Sequence, residues 1–342
     1  MELPKPILVV LTPVFNEAWI LPAFLKATSL WADYIIIADQ MSTDGSRDLY
    51  KQFAHENHTN LHGRKCELIV VDNPRKEMHQ AATRRLLFDA AKKIEGDKIL
   101  FALDADEFLS GNFPATKGWQ TIINSEPGDI FKFRWMNLNE IGREYYLTQV
   151  PYYWAAHVND DLLNGEFPDN FIHEWRLPWP PLVHEEYIID DICFIHFRRV
   201  NEIRQRNKAR NYQVLQFSSP QYKHSGISIF RQYNYEAEKR MSAVPPTAYA
   251  FYESNGVDIW KELSVKDEGS HYTEAVLRKI REHGASYFRK LDIWDKDFLS
   301  KYNLQDPRRP IDKLIHWYLR TTEKISKNLI IRCVDKVLKQ VY

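Results

Sequence analysis

Three carboxylates, Asp104, Asp106 and Glu107, fall within four positions of the stretch "LDADEF", directly after the apolar run "ILFAL" at 99–103. In an extended strand residues i and i+2 share a face, so Asp104 and Asp106 would project together with Ala105 turned away. Two carboxylates that close repel, and one tends to stay protonated. A divalent cation removes the conflict. Mg²⁺ and Mn²⁺ take hard oxygen ligands, typically only one or two of them from the protein, and leave the remaining positions to water and substrate phosphates. The spacing therefore suits a cation that holds a diphosphate. The same residues also suit a turn in which Asp106 caps the following segment.

Several other chemistries lack their residues. The twelve glycines contain no GxG pair, which removes both the dinucleotide fingerprint and the phosphate-binding loop. There is no GxSxG elbow and no HExxH helix. A phosphatase nucleophile of the DxD type belongs on a first strand, and the first strand here ends "TPVFNEA". Lys plus Arg equals Asp plus Glu at 46 each, against the basic excess of a nucleic-acid-binding protein. The three cysteines, Cys66, Cys193 and Cys333, are too far apart and too few for a disulfide framework or a zinc pattern, which points to a reducing compartment.

The elements that must position the acids alternate. "ILVVLTPVF", "YIIIAD", "ELIVVD" and "KILFAL" read as strands, and helical spacing separates them, as in "EAWILPAFLKATSLWA" and "EMHQAATRRLLFDAAKKI". This implies βαβ units, a mostly parallel sheet flanked by helices and an α/β fold. Ligands of such sheets bind outside the carboxyl ends of the strands. Here those ends read "TPVFNEA", "ADQMSTDG", "VDNPRKE" and "LDADEF", all polar. Further strands and an aromatic, proline-rich stretch follow to about residue 200, and helices fill the rest. The N-terminus reads as a strand rather than a signal peptide, and no run reaches the roughly 18 apolar residues of a membrane span.

In combination, "TPVFNEA", "ADQMSTDGS", "ATRRLLFDAA" and "LDADEF" resemble the family 2 glycosyltransferases of the Rossmann-like GT-A fold. The match covers roughly residues 5–110, and 130–215 more loosely. "VHEEY" and "FIHF" are similar to elements of the lipopolysaccharide-core β-glucosyltransferase branch. The resemblance implies a GT-A domain over 1–215 with a helical C-terminal extension over 216–342. It also implies a nucleotide-diphosphate sugar donor, with a UDP-sugar favoured, a Mn²⁺ or Mg²⁺ ion, and transfer with inversion to a glycan or lipid-linked acceptor. Carried over, Pro13, Phe15 and Glu17 line the nucleotide pocket, Asp39 contacts the base or ribose, and Arg84 reaches the nucleotide. Asp104 contacts the ribose or a metal-bound water. Asp106 binds the metal, and His196 is a further metal ligand. A lone histidine in an apolar strand such as "ICFIHF" is otherwise most often a core residue.

Inverting transfer also needs a carboxylate to take the acceptor proton. Glu185 is the first candidate, with Glu186 and Asp191 behind it. Aromatic faces suit sugar rings, so Trp154, Trp175 and Trp179 are acceptor-site candidates, with core packing the alternative use. The final thirty residues are basic, with apolar residues at helical spacing. Such a tail either packs on the protein or lies on an anionic membrane surface. The resulting expectation is a cytoplasmic protein, in peripheral contact with the inner face of a membrane if the tail takes the second course.

Overall fold

The computed structural model describes residues 6–139, 141–163, 176–178, 182–219, 225–233, 241–264 and 268–342. They form two compact units, one of residues 1–200 with 241–266 and one of 201–240 with 267–342.

The first unit is built on strands β1 (Ile7–Val14), β2 (Tyr34–Asp39), β3 (Glu67–Asp72) and β4 (Lys98–Ala102), alternating with helices α1 (Leu21–Ser29), α2 (Ser46–His55) and α3 (Gln80–Ala91). The four strands run parallel in the order β3-β2-β1-β4. Alternate side chains of these strands enter two separate cores. Leu8, Val10, Ile35, Ile37, Ile99 and Phe101 pack on the face that carries α1 and Tyr50 and Phe53 of α2. Val9, Leu11, Ile36, Ala38, Leu100 and Ala102 pack on the face that carries Leu87 and Phe88 of α3. A sheet covered on both faces needs such continuous apolar strands. This is the α/β class expected from the sequence, a sheet flanked by helices.

The polypeptide continues through β5 (Glu107–Leu109), α4 (Lys117–Ile123), β6 (Ile130–Leu138), β7 (Glu144–Leu147), β8 (Tyr152–Val158) and β9 (Glu186–His196). β8 runs antiparallel to both β4 and β6, so β6 points the same way as β4. β9 runs parallel to β6 and antiparallel to the short β5. Trp31 anchors the face beneath, 5.0 Å edge-on from Phe101 and 5.9 Å from Trp119 of α4. Each such buried ring stabilises the fold by about 1.5–3 kcal/mol relative to exposure.

The second unit begins at Asn201, whose Oδ1 accepts a hydrogen bond from Arg204 N at 2.9 Å and so starts α5 (Glu202–Ser218). α6 (Gly226–Tyr233) follows. The chain then returns to the first unit with β10 (Ser242–Ala243) and α7 (Ala250–Ser254). It closes in the second with α8 (Ser270–His283), α9 (Lys296–Lys301), α10 (Pro310–Thr321) and α11 (Leu329–Val341). The expected division at residue 215 therefore needs correction. It cuts α5, and it leaves out 241–266, whose Ala248, Tyr249, Phe251, Tyr252 and Ile259 belong to the core of the first unit. Among the described residues no helix is long and apolar enough to cross a membrane.

Candidate functional site

β1 connects towards β2 on one side, and β4 pairs on the other side of β1. The order of connection reverses between them, and such switch points open a crevice at the carboxyl edge of a sheet. The loop after β1 and the acidic stretch after β4 both end there. Leu103 N donates to Leu11 O at 3.2 Å, which sets Asp104 directly beside the end of β1.

The acids do not continue the strand. β4 stops at Ala102, and Asp104–Asp106 form a turn closed by Glu107 N donating to Asp104 O at 3.0 Å. Asp104 and Asp106 consequently part company, which corrects the shared-face expectation. Asp104 faces two arginines: Arg84 Nη2 of α3 donates to its Oδ1, and Arg176 Nη2 to its Oδ2, each at 2.7 Å. Arg176 also reaches both oxygens of the fully buried Glu107 and donates to Ala102 O at 3.0 Å. Glu107 further accepts from Asp104 N at 2.9 Å and from Trp135 Nε1 at 2.7 Å. The guanidinium of Arg176 lies 5.4 Å from the Trp135 ring centre and 5.2 Å from that of Trp154. Burial works against the charge of Arg176, but Asp104 and Glu107 outweigh it and push its pKa up. At Arg84 burial prevails and lowers the pKa, and its buried Nη1 has no hydrogen-bond partner.

Asp106 is buried on the other side of the turn, its Oδ2 3.6 Å from His196 Nε2. His196 ends β9, and its Nδ1 lies 2.9 Å from Asn137 Oδ1 at the end of β6. A carbonyl oxygen can only accept, so Nδ1 carries the proton. The Nε2 of His196 and the Asp106 carboxylate stand side by side, and imidazole nitrogen and carboxylate oxygen are both ligands that a divalent cation takes. Among the described residues no three His, Cys, Asp or Glu side chains gather into a complete metal cage. A pair is nevertheless what a Mg²⁺ or Mn²⁺ needs when phosphates supply the rest of its ligands. Asp106 and His196 therefore fit the ion that the resemblance implies.

The loop after β1 is tied to the loop after β2. Asn16 Oδ1 accepts from Thr43 N at 2.7 Å, and Asp44 Oδ2 accepts from Ala18 N at 2.8 Å. Pro13 lies in the β1–β2 pairing, Phe15 enters the loop, and Glu17 accepts from Trp19 Nε1 at 2.6 Å. Asp39 is fully buried, with its oxygens taken by Ser42 N, Arg47 Nε and Tyr50 OH. This corrects the expected nucleotide contact: Asp39 anchors the loop beneath the site.

The base candidates are not at this edge. Glu185 O accepts from Ile130 N, and Glu186 pairs with Ile130 at the start of β6, whereas His196 pairs with Asn137 near its end. Seven steps along β6, at about 3.3 Å each, put Glu185 and Glu186 on the order of 20 Å from His196. Glu186 is also paired with Lys132. Asp191 accepts from Gly118 N at 3.0 Å and caps the start of α4. Glu185 and Glu186 are thus remote from the acidic turn, and Asp191 is committed to the start of α4. Trp154 is 1% exposed, inside the aromatic cluster, and offers no face to a sugar. Trp175 and Trp179 lie outside the described residues. Arg176, Trp135 and Asn137 were not expected. Their only sequence signal is the aromatic richness around them.

No family model matches the chain, and no curated protein matches it significantly. Solved structures similar to it include GalNAc-T7 with UDP, GalNAc and Mn²⁺, at 12% identity over 82% of this chain and 58% of that one, with a TM-score of 0.37. HddC from Yersinia pseudotuberculosis is similar at 9% identity over 57% of this chain and 94% of that one, with a TM-score of 0.31. The chain thus spans less than two thirds of the GalNAc-T7 structure. A likeness this distant assigns no function.

Proposed function

We propose that the chain is a metal-dependent inverting glycosyltransferase that moves a sugar from a nucleotide diphosphate, a UDP-sugar, to a glycan or lipid-linked acceptor. One observation carries the reading. The Asp106–His196 pair follows the strand at the switch point of the parallel sheet, on the same turn whose Asp104 holds the buried Arg84.

Asp106 and His196 would hold the divalent cation, which when bound neutralises the charge growing on the departing diphosphate. Arg84 is aligned for the same charge, because Asp104 fixes one arm of its guanidinium while Nη1 makes no bond. Asp104, held by two arginines, is positioned to orient those cations. Phe15 and Glu17 border the crevice on the β1 side. Asn137 orients the His196 ring through Nδ1, with Nε2 towards Asp106.

A second reading is a non-catalytic nucleotide-sugar binder of the same fold. It is favoured by the neutralisation of Asp104 and Glu107 within the protein and by the remoteness of Glu185, Glu186 and Asp191.

Thermal unfolding with a panel of nucleotide sugars, with and without Mn²⁺, tests both readings when paired with an assay of nucleotide release. A Mn²⁺-dependent rise for one donor with turnover supports the transferase. The same rise without turnover selects the binder. Asp106→Asn should abolish the Mn²⁺-dependent part of the rise, and a variant that keeps both the rise and turnover removes the metal site.

A further inference from the structure

The second unit ends in two helices whose outer faces are apolar. Ile311, Leu314 and Trp317 recur every third residue along α10 and are 50%, 58% and 63% exposed. Leu329, Ile330 and Val337 are exposed on α11 in the same way. The inner faces are already occupied, since Ile315 and Leu319 of α10 and Tyr342 pack on Ile227 and Phe230 of α6. The outer stripes are therefore not a misjudged core.

A cavity of about 510 Å³ opens beside these helices. Ile311, Leu314 and Leu338 line it with hydrocarbon, and Arg289, Lys290 and Arg309 line it with charge. One acid answers the three cations. Buried Asp312 has its Oδ2 3.3 Å from Arg309 Nε and 3.5 Å from Arg289 Nε. Lys290 donates to Tyr342 O at 2.6 Å, and Arg289 Nε makes no hydrogen bond. Three cations thus share one side-chain carboxylate on a partly apolar wall. Burial, and after it the charge of Arg289, hold the Lys290 ammonium below its usual range. A bound anion would relieve that strain.

The surroundings repeat the theme. Residues 311–342 carry seven Lys and Arg against three Asp and Glu, in a chain whose total charge is zero. Exposed apolar stripes set among basic residues complement an anionic lipid surface, where hydrocarbon and negative charge occur together.

We propose that this face docks on an anionic phospholipid membrane, with one lipid phosphate taken by Arg289, Lys290 and Arg309 and its acyl chain laid along Ile311, Leu314 and Leu338. Nothing in this depends on the sugar-transfer reading.

The test is co-sedimentation of the full chain with vesicles of phosphatidylcholine alone or with equimolar phosphatidylglycerol. Binding should occur only with phosphatidylglycerol. Leu314→Glu combined with Trp317→Glu, both on exposed positions and checked for folding by circular dichroism, should reduce binding to the phosphatidylcholine level. Arg309→Gln should weaken it by about fivefold, the share of one cation at an anionic surface, and Arg309→Lys should restore it. Exchanging chloride for inorganic phosphate at matched ionic strength should leave binding unchanged. The proposal is overturned by no sedimentation with phosphatidylglycerol, by equal sedimentation with both vesicles, or by full binding of the Leu314/Trp317 variant. Stripping by inorganic phosphate alone overturns it too, since the cavity would then be a site for free phosphate.

Discussion

Glu107 is fully buried, and the guanidinium of Arg176 is its counter-ion. Removing one partner of a buried pair leaves an uncompensated charge, which costs about 3–5 kcal/mol. Arg176→Ala should lower stability by that amount in urea unfolding. Arg176→Met with Glu107→Gln should recover most of it, because Asp104 keeps Arg84 and no buried charge is left unpaired. A loss for Arg176→Ala under about 1 kcal/mol, the worth of an exposed pair, would show the pair to be solvated. His184 offers a pH test on the far edge of the sheet. Its hydrogen bond to Asp129 Oδ1, 3.0 Å away, raises its pKa in the folded state. A raised pKa contributes stability that is complete below the unfolded value of 6.5 and is lost as the pH rises through the folded value. His157 and His316 are shifted downward by burial and act in the opposite sense. The informative quantity is therefore the difference between wild type and His184→Gln in thermal midpoint, which should shrink as the pH rises from acid to neutral and beyond. Asp106, His196 and Arg84 were legible as candidates because short local patterns carry them. Arg176 was not, because its partners lie about seventy positions away along the chain.

At the scale of elements, β9 shows how direction escapes a linear reading. Glu186 and His196 are the two ends of one eleven-residue strand, so closeness in sequence to a site residue sends the glutamates to the opposite edge. The strand pattern was readable from the apolar run "ICFIHF", but not where pairing begins. The first four strands and three helices were readable because the apolar residues of the strands enter cores on both faces of the sheet. Gly118 in α4 supplies a test of the β9–α4 junction. A Cβ built there would lie 2.2 Å from Asp191 Oδ1 and 2.7 Å from Ile189 Cγ2. Alanine in a helix is normally favoured over glycine by about 1 kcal/mol. Here the clash and the displaced cap should reverse the sign, and Gly118→Ala should destabilise by about 1–3 kcal/mol. Denaturant titration reads this directly, and a stabilised variant would remove Asp191 from the helix start.

At the scale of the whole molecule, the chain crosses between its two units three times, at 200/201, 240/241 and 266/267. The segment that returns is short, and its sequence, "SAVPPTAYAFYESNGVDIW", has no strand or helix pattern long enough to announce its destination. Its burial shows what it does. Tyr252 is 1% exposed and edge-on to Phe108 at 6.2 Å, Phe251 lies 4.5 Å from Phe113, and Trp260 lies 5.0 Å from Phe197. Backbone bonds seat it as well, with Gly111 N donating to Ala248 O at 2.7 Å and Phe251 N to Gly111 O at 3.2 Å. At about 1.5–3 kcal/mol for each buried side chain, losing several of these removes an amount comparable with the 5–15 kcal/mol that typically separates a folded chain from an unfolded one. A fragment of residues 1–215 should therefore fail to fold cooperatively, and should show no sharp thermal transition by circular dichroism. Residues 1–200 joined by a flexible linker to 241–266 should regain one, because that chain restores the rings against Phe108, Phe113 and Phe197. A 1–215 fragment that melts as sharply as the joined chain would show that the core around Phe113 closes without its returning segment.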